Sequence, residues 1–217
     1  MRLLYTFTQK RNDMFEPQFF TLTSIYFLAL LSPGQDFFLI IKHALTHGYQ
    51  KAWWSCVGIA SGNALYIVLA YVGHAFLSRY ALLVSLIEIG GALFLLYLGF
   101  LLLLAPKPSL ENALHVKSKM AFKLFVQGLL SALLNPKNIL FYFSLLFTII
   151  KPETVLHVKI FYALWMIGML LAWDMFVALI FGNKKALKLF PYLFVVQKVV
   201  GVGLIGFSLK LALDWFY

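Results

Sequence analysis

Cysteine and charged residues are both scarce in this chain of 217 residues. Its single cysteine, Cys56, cannot form an intrachain disulfide, which argues against a thiol-redox membrane carrier that uses a cysteine pair. Charged residues make up 12% of the sequence, whereas about 25% is usual in soluble domains. Hydrophobic residues make up 62%, and the mean hydropathy is +0.87. An ordinary soluble domain is therefore excluded.

Sequence signatures of enzymes and of cofactor or metal sites are missing as well. No phosphate-binding loop, His-Glu-x-x-His motif or nucleophile–base pairing is recognisable, so neither ATP hydrolysis nor intramembrane catalysis is expected. The five histidines lie near the ends of apolar runs without metal-ligand spacing, and we predict neither a metal nor a cofactor. A Gly-x-Gly-x-x-Gly pattern at residues 201–206 lies inside an apolar run, where it favours helix packing over dinucleotide binding.

Long apolar runs dominate what is present. Each exceeds the roughly 20 residues that a helix needs to cross a bilayer, and the loops between them are too short for an extramembrane domain. The sequence therefore predicts an all-α integral membrane protein with six transmembrane helices, at residues 19–41, 52–76, 80–105, 122–150, 160–181 and 192–216.

A polar stretch divides these six runs into two groups of three. In each group the first run contains a proline and the third is marked by glycines, which indicates a weak internal repeat. A repeat with an odd number of spans inserts its second copy upside down, so we predict two inverted-topology three-helix repeats. Met14 is an alternative start, so residues 1–13 could be an extension that is not translated natively. The predicted segments are an N-terminal tail (1–18), the first repeat (19–105), a polar connecting loop (106–121) and the second repeat (122–217).

Positive charge exceeds negative charge, and the formal net charge is +10. Most of the basic residues lie in the short loops between apolar runs. Such a bias sets membrane topology and brings positive charge to anionic lipid headgroups. The charge therefore indicates membrane lipid, and not nucleic acid, as a partner.

Two of the apolar runs are interrupted by a proline beside an ionisable residue. The first run contains Pro33 and Gly34 before Asp36, and the fourth contains Pro136 before Lys137. Proline removes a backbone donor and clashes with the preceding turn, so both helices are predicted to break at these points. Paired broken helices in matching positions of two half-chains indicate the binding site of a secondary transporter.

Four ionisable side chains lie well inside the predicted spans, where a charge costs about 2.5–3.5 kcal/mol on insertion scales. They are Asp36, Glu88, Lys137 and Asp174. We predict that the three carboxylates, Asp36, Asp174 and Glu88, take part in proton coupling. A buried Asp36–Lys137 pair that only fixes helix packing is the structural alternative. Asp174 could instead be a counter-ion, and Glu88 could instead reach a membrane interface.

The polar residues around the two breaks suggest how a small zwitterion could bind. A helix that restarts after a break presents unpaired N–H groups to a substrate carboxylate, and Lys137 adds positive charge. Asp36 can accept either a substrate ammonium or a proton, and competition of that kind is what proton-coupled exchange requires. The predicted substrate-binding residues are Asp36, Asn63, Asn135, Lys137 and Asn138, although each asparagine could equally cap or bridge helices.

A series of short motifs runs over nearly the whole chain after Met14, in the order Pro33-Gly34-Gln35-Asp36, Gly48, Gly58, Gly62, Tyr97-Leu98-Gly99, Gly128 and Asn135-Pro136-Lys137. Together they resemble the LysE/RhtB family of amino-acid exporters. Gln35 stands where that family usually has a second proline. The resemblance implies a multi-pass exporter of amino acids or close derivatives in the bacterial inner membrane, driven by the proton-motive force. It assigns the first-span aspartate of the family to Asp36.

The sequence leaves two other functions open. Related families export inorganic cations such as cadmium or manganese, and Asp36, Glu88 and Asp174 could supply oxygen ligands, although Lys137 would repel a cation. A membrane accessory subunit without transport of its own is the other alternative. Which amino acid is exported, and whether the chain forms a homo-oligomer, are also left open.

Overall fold

The structure, a computed structural model, describes residues 15–77, 80–105, 121–151 and 154–216. These residues form helices and no strands, which confirms the all-α prediction for this part of the chain. Most of the predicted tail (1–18) and connecting loop (106–121) lies outside the described residues. The helices are α1 (Pro17–Leu31), α2 (Gln35–His47), α3 (Tyr49–Leu77), α4 (Ala81–Leu104), α5 (Ala121–Leu133), α6 (Pro136–Ile149), α7 (Leu156–Phe181) and α8 (Phe190–Phe216), with a 3-10 helix (Lys184–Leu189) before α8.

Several of these helices are long and apolar enough to cross a membrane. Each of α3, α7 and α8 has this length and hydrophobicity by itself. The pairs α1–α2 and α5–α6 have them when each bent pair is taken as one span. The remaining predicted span corresponds to α4, of 24 residues, in which the described apolar part, Ile89–Leu104, is shorter. Up to five candidate spans are therefore present among the described residues, and the six-span arrangement stays a prediction.

The first helix pair, α1–α2, bends by 55°. Ser32 closes α1, Pro33 is buried in the gap, and α2 starts after the extended backbone of Gly34. Because proline has no backbone N–H, the helical hydrogen-bond ladder stops at this point. The second helix of this pair, α2, continues past the predicted end of the span at residue 41. It ends at Gly48, whose φ of 82° favours glycine.

The second pair, α5–α6, bends by 59°. Pro136 is the first residue of α6, a position where its missing N–H removes no helical hydrogen bond. The Asn135 side chain caps the helix by accepting a hydrogen bond from the Lys137 backbone N–H at 3.1 Å. The sequence Asn-Pro-Lys therefore ends one helix and starts the next.

The most extensive helix contact joins α3 to α5, one from each predicted repeat. Glycines make this close approach possible. A Cβ added to Gly58 would collide with the Phe125 carbonyl, and one added to Gly128 would collide with the Ser55 carbonyl. The spacing of Gly58 and Gly62 therefore marks a helix-packing surface, as is common in membrane helices.

A second close contact joins α4 to α8. The two backbones meet at Gly99 and Gly201, where a Cβ added to either residue would lie 2.8 Å from the carbonyl oxygen of the other. The Gly-x-Gly-x-x-Gly pattern at residues 201–206 thus lies within a helix and contributes to helix packing.

His43 lies near the end of α2, as expected, but it is not the interfacial or loop residue that this position suggests. Its side chain is 2% exposed, and its Nδ1 lies 2.6 Å from Ser55 Oγ, between α2 and α3. His43 is therefore buried by the packing of α2 on α3.

The outer surface of the bundle is strongly apolar. Large hydrophobic side chains on several helices are more than half exposed, including Leu82, Leu104, Phe122 and Leu164. Contiguous apolar surface of this kind is rare on soluble monomers and is suited to contact with lipid chains.

Candidate functional site

A cavity of about 70 Å³ lies where the two helix breaks meet. Its wall is built from α1, α2, α3, α6 and α7, and it includes the first turns of both restarted helices, α2 and α6. Each of these turns brings the positive end of a helix dipole to the cavity. The polar side chains in the wall are Tyr26, Ser32, Gln35, Asp36, Asn63, Asn135, Lys137, Asn138, Tyr142, Trp173 and Asp174.

Asp36 is held by two hydrogen bonds from the second half of the chain. Ser131 Oγ donates to its Oδ1 at 2.5 Å, and Asn138 Nδ2 donates to its Oδ2 at 2.9 Å. Ser131 belongs to the end of α5 and Asn138 to the start of α6. The carboxylate of Asp36 therefore links the first turn of α2 to both sides of the second break, and both of its oxygens are occupied.

Lys137 lies partly buried in the same cavity. Its ammonium donates to Ser32 Oγ at 3.1 Å, beside the first break, and a Cβ on Gly34 would lie 3.5 Å from Nζ. In the described part of the chain Lys137 and Asp36 form no direct ion pair, although each acts on the other electrostatically. An ammonium has three donors, so Lys137 retains donors for a further ligand.

Three asparagines line the cavity, and each takes part in a structural hydrogen bond. Asn63, on α3, is 2% exposed and donates to the Ile59 carbonyl at 2.9 Å. Asn135 caps α6, whereas Asn138 bridges Asp36 and the end of α5. The asparagines therefore cap or bridge helices and also line the cavity.

Asp174, on α7, is 6% exposed and lines the same cavity. Its Oδ2 oxygen is buried and accepts no hydrogen bond from any described residue. The indole Nε1 of the neighbouring Trp173 is likewise buried without a partner among those residues. Asp174 and Asp36 are close enough to act on each other electrostatically.

Sequence reasoning missed the hydroxyl-bearing residues that line the cavity or, in the case of Ser131, hold a residue of its wall. Tyr26 and Tyr142 are both almost fully buried, and their hydroxyl oxygens lie 2.8 Å apart, joining α1 to α6. Ser32 and Ser131 hold the two charged residues in place. Ser32 stands next to Pro33, and that adjacency is the one signal that could have identified it.

Apart from Glu88, the structure brings the predicted site residues together. The backbone of Glu88 belongs to α4, but its side chain lies outside the described part of the structure. The roles in binding and proton coupling stay predictions. Gly34, Asp36, Asn63, Asn135, Lys137, Asn138 and Asp174 line the cavity, and Pro33 and Pro136 stand at the two breaks that border it.

A polar cavity walled by two broken helices, inside a bundle with an apolar surface, is the architecture of a membrane transporter. The family model of LysE type translocators matches residues 27–214, and the chain belongs to this family. The resemblance seen in the motifs is thereby confirmed. Members of the family are translocators rather than enzymes, and this chain is a multi-pass protein of the bacterial inner membrane.

The curated relatives of this chain include efflux proteins. The threonine efflux protein of Escherichia coli (strain K12) is 32% identical over 147 residues, covering 63% of this chain and 68% of the relative. The leucine efflux protein of Klebsiella pneumoniae is 31% identical over 116 residues, covering 53% and 55%. The membrane protein YrhP of Bacillus subtilis, named as uncharacterized, is 28% identical over 198 residues, covering 86% and 94%. No solved structure matches the chain.

Proposed function

We propose that this protein is a secondary exporter of amino acids or close derivatives, exchanging them for protons across the bacterial inner membrane. The observation that carries the proposal is the cavity at the two helix breaks, where Lys137 and the carboxylates of Asp36 and Asp174 meet. Membership of a translocator family supports it. So do the names of relatives, which are efflux proteins for threonine and leucine.

The substrate carboxylate binds at the first turns of α2 and α6. Both turns line the cavity, and the positive end of each helix dipole stabilises an anion there. At the start of α6 the N–H groups of Lys137 and Asn138 already bond Asn135, so this helix acts through its dipole rather than through free N–H groups. The Lys137 ammonium, already held by Ser32 Oγ, adds a full positive charge at the same place. Asn63 and Asn135 complete the polar wall around the substrate.

Asp36 couples proton movement to substrate movement. As a carboxylate it accepts one hydrogen bond from each side of the second break. A proton on Asp36 removes the negative charge that strengthens these two hydrogen bonds, so the link between the breaks weakens even where Ser131 Oγ turns from donor to acceptor. Asp174 and Glu88 are the further proton carriers in this mechanism.

The chain crosses the membrane six times, as two inverted three-helix repeats. Reciprocal contacts support this topology: α2 packs on α7 as α6 packs on α3, and α1 contacts α6 as α5 contacts α2. The equivalent helices α3 and α7, and α4 and α8, also pack on each other. The support is partial, because the α3–α5 contact is much more extensive than its counterpart, α7–α1.

Export of inorganic cations has less support. The ammonium of Lys137 lies in the same cavity as the carboxylates and would repel a divalent ion. In addition, both oxygens of Asp36 already accept hydrogen bonds from the protein.

Efflux from bacterial cells loaded with labelled threonine or leucine tests the proposal, with Asp36→Asn as the variant. An asparagine at this position can still accept from Asn138 and can donate to Ser131 Oγ, so the geometry is kept and only the charge is lost. We expect the variant to reach the membrane but to lose proton-coupled efflux. Thr46→Ala is the matched control, because Thr46 lies on the same helix, is exposed, and donates its hydroxyl to the Lys42 carbonyl of that helix.

The control is expected to export at the parental rate. Undiminished efflux by Asp36→Asn would contradict the role of Asp36. If the parental protein exports neither threonine nor leucine, these two amino acids are not its substrates. That result would favour the accessory-subunit alternative.

A further inference from the structure

We infer that Asp174 binds the ammonium group of the amino-acid substrate. The inference rests on the proposed function and deepens it by assigning the second charged end of the substrate. Lys137 and the turns of α2 and α6 account for the carboxylate, so the ammonium requires an anionic partner in the same cavity. Two described carboxylates, Asp36 and Asp174, line that cavity.

The hydrogen bonds of Asp36 make it the poorer of the two candidates. Each of its oxygens accepts a hydrogen bond from a neutral side chain, Ser131 at 2.5 Å on one side and Asn138 at 2.9 Å on the other. A substrate ammonium at Asp36 would have to share or displace these donors. Asp36 is therefore already satisfied as part of the connection between the two helix breaks.

Asp174 has the opposite environment. The side chain is 6% exposed, its Oδ2 is buried, and no described residue donates to that oxygen. Buried polar atoms are almost always hydrogen-bonded, so an unpartnered carboxylate oxygen in a cavity wall indicates a missing donor. An ammonium supplies three donors and a full positive charge, which a buried carboxylate requires.

The neighbours of Asp174 suit a cationic group of this size. Tyr26 and Tyr142 line the cavity with hydroxyls 2.8 Å apart, and both lie within electrostatic range of Asp174. Their oxygens have lone pairs that can accept further hydrogen bonds from an ammonium. With Lys137 at the helix breaks, the cavity then matches both charges of an α-amino acid. Asp174 can hold either this ammonium or a proton, but not both.

Equilibrium binding to the purified full-length protein tests the assignment. The probes are L-leucine and L-threonine, each paired with the 2-hydroxy acid of the same carbon skeleton, which lacks the ammonium. We expect the parental protein to bind the amino acid at least about tenfold more tightly than the hydroxy acid, as is typical when a buried charge loses its partner. In Asp174→Asn this preference is expected to fall below about threefold, because only the affinity for the amino acid decreases.

Retained binding of the hydroxy acid shows that the variant is folded. Asp174→Glu keeps the charge and is expected to keep the preference, whereas Asp36→Asn should lower the preference much less than Asp174→Asn does. Should Asp174→Asn not purify as a monodisperse protein, Asp174→Ser takes its place in the same measurement.

The possible failures are distinguishable. An unchanged preference in Asp174→Asn, or a preference lost in Asp36→Asn instead, overturns the assignment while leaving amino-acid export intact. An equal loss of affinity for both probes in Asp174→Asn also overturns it, since that result indicates a structural role. If the parental protein binds neither the amino acid nor the hydroxy acid, the inference is overturned together with the proposed amino-acid substrate.

Discussion

Two charged residues of the cavity, Asp36 and Lys137, are held by neutral partners rather than by each other. Asp36 is bonded to Ser131 and Asn138, and Lys137 is bonded to Ser32. A direct buried ion pair would neutralise both groups and leave little charge for a substrate. Hydrogen bonds to neutral side chains instead fix the positions of the two charged groups without neutralising their charges.

The positions of the charged residues could be predicted from the sequence, but their partners could not. An ionisable residue next to a proline in an apolar run is costly, and this makes Asp36 and Lys137 conspicuous. Serine is compatible with a membrane helix in many roles, so nothing local distinguishes Ser131 as the partner of Asp36. The contact joins residues 95 positions apart and depends on how the two breaks meet.

Lys137→Met removes the positive charge at the helix breaks and keeps a side chain of similar length. We expect kcat/KM for an amino acid to fall by about tenfold or more, because the substrate carboxylate loses a buried charged partner. Transport of the corresponding decarboxylated amine should change much less. Measuring both compounds in reconstituted vesicles checks this. Equal transport of the amine and the amino acid by the parental protein would contradict a carboxylate site at Lys137.

At the level of whole helices, the two breaks have different local causes. At the first, Pro33 lies in the gap and the extended backbone of Gly34 precedes the new helix; at the second, Pro136 is itself the first residue of α6, capped by Asn135. Both follow from proline chemistry and were predictable. The length of α2 was not, because the residues after 41 include lysine and histidine, which end an apolar run without ending a helix.

The helix contact at Gly99 and Gly201 gives a stability prediction. Gly201→Ala would place a Cβ 2.8 Å from the Gly99 carbonyl oxygen, so the two backbones must move apart. Overpacking of this kind costs about 1–3 kcal/mol, which at least cancels, and over most of this range exceeds, the gain of about 1 kcal/mol from alanine in a helix. The expected result is a lower thermal stability of the purified protein in detergent.

Gly206→Ala is the matched control on the same helix, because nothing lies within 4 Å of the Cβ it would add. It should leave thermal stability unchanged or slightly raised. A Gly201→Ala protein as stable as this control would contradict the close approach of α4 and α8.

In the whole molecule, the cavity lies between the two halves of the chain. Asp36 and Asn63 come from the first predicted repeat, whereas Lys137, Asn138 and Asp174 come from the second. A change in the relative position of the halves would therefore open or close the site and alter the bonds of Asp36 at the same time. The internal repeat that the matching prolines and glycines indicate stays a prediction. The extensive pairing of α3 with α5 could not be predicted from the sequence, since it depends on how distant helices pack.

Coupling of amino-acid export to proton movement can be measured directly with purified protein in sealed vesicles. The vesicles are loaded with labelled threonine or leucine, and amino-acid release is followed with and without an imposed proton gradient, in the parental protein and in Asp36→Asn. We predict that a gradient opposite in direction to amino-acid release accelerates release by the parental protein, that an uncoupler removes the acceleration, and that Asp36→Asn shows none. Release at the same rate with and without the gradient, or a gradient response retained in Asp36→Asn, would contradict the account.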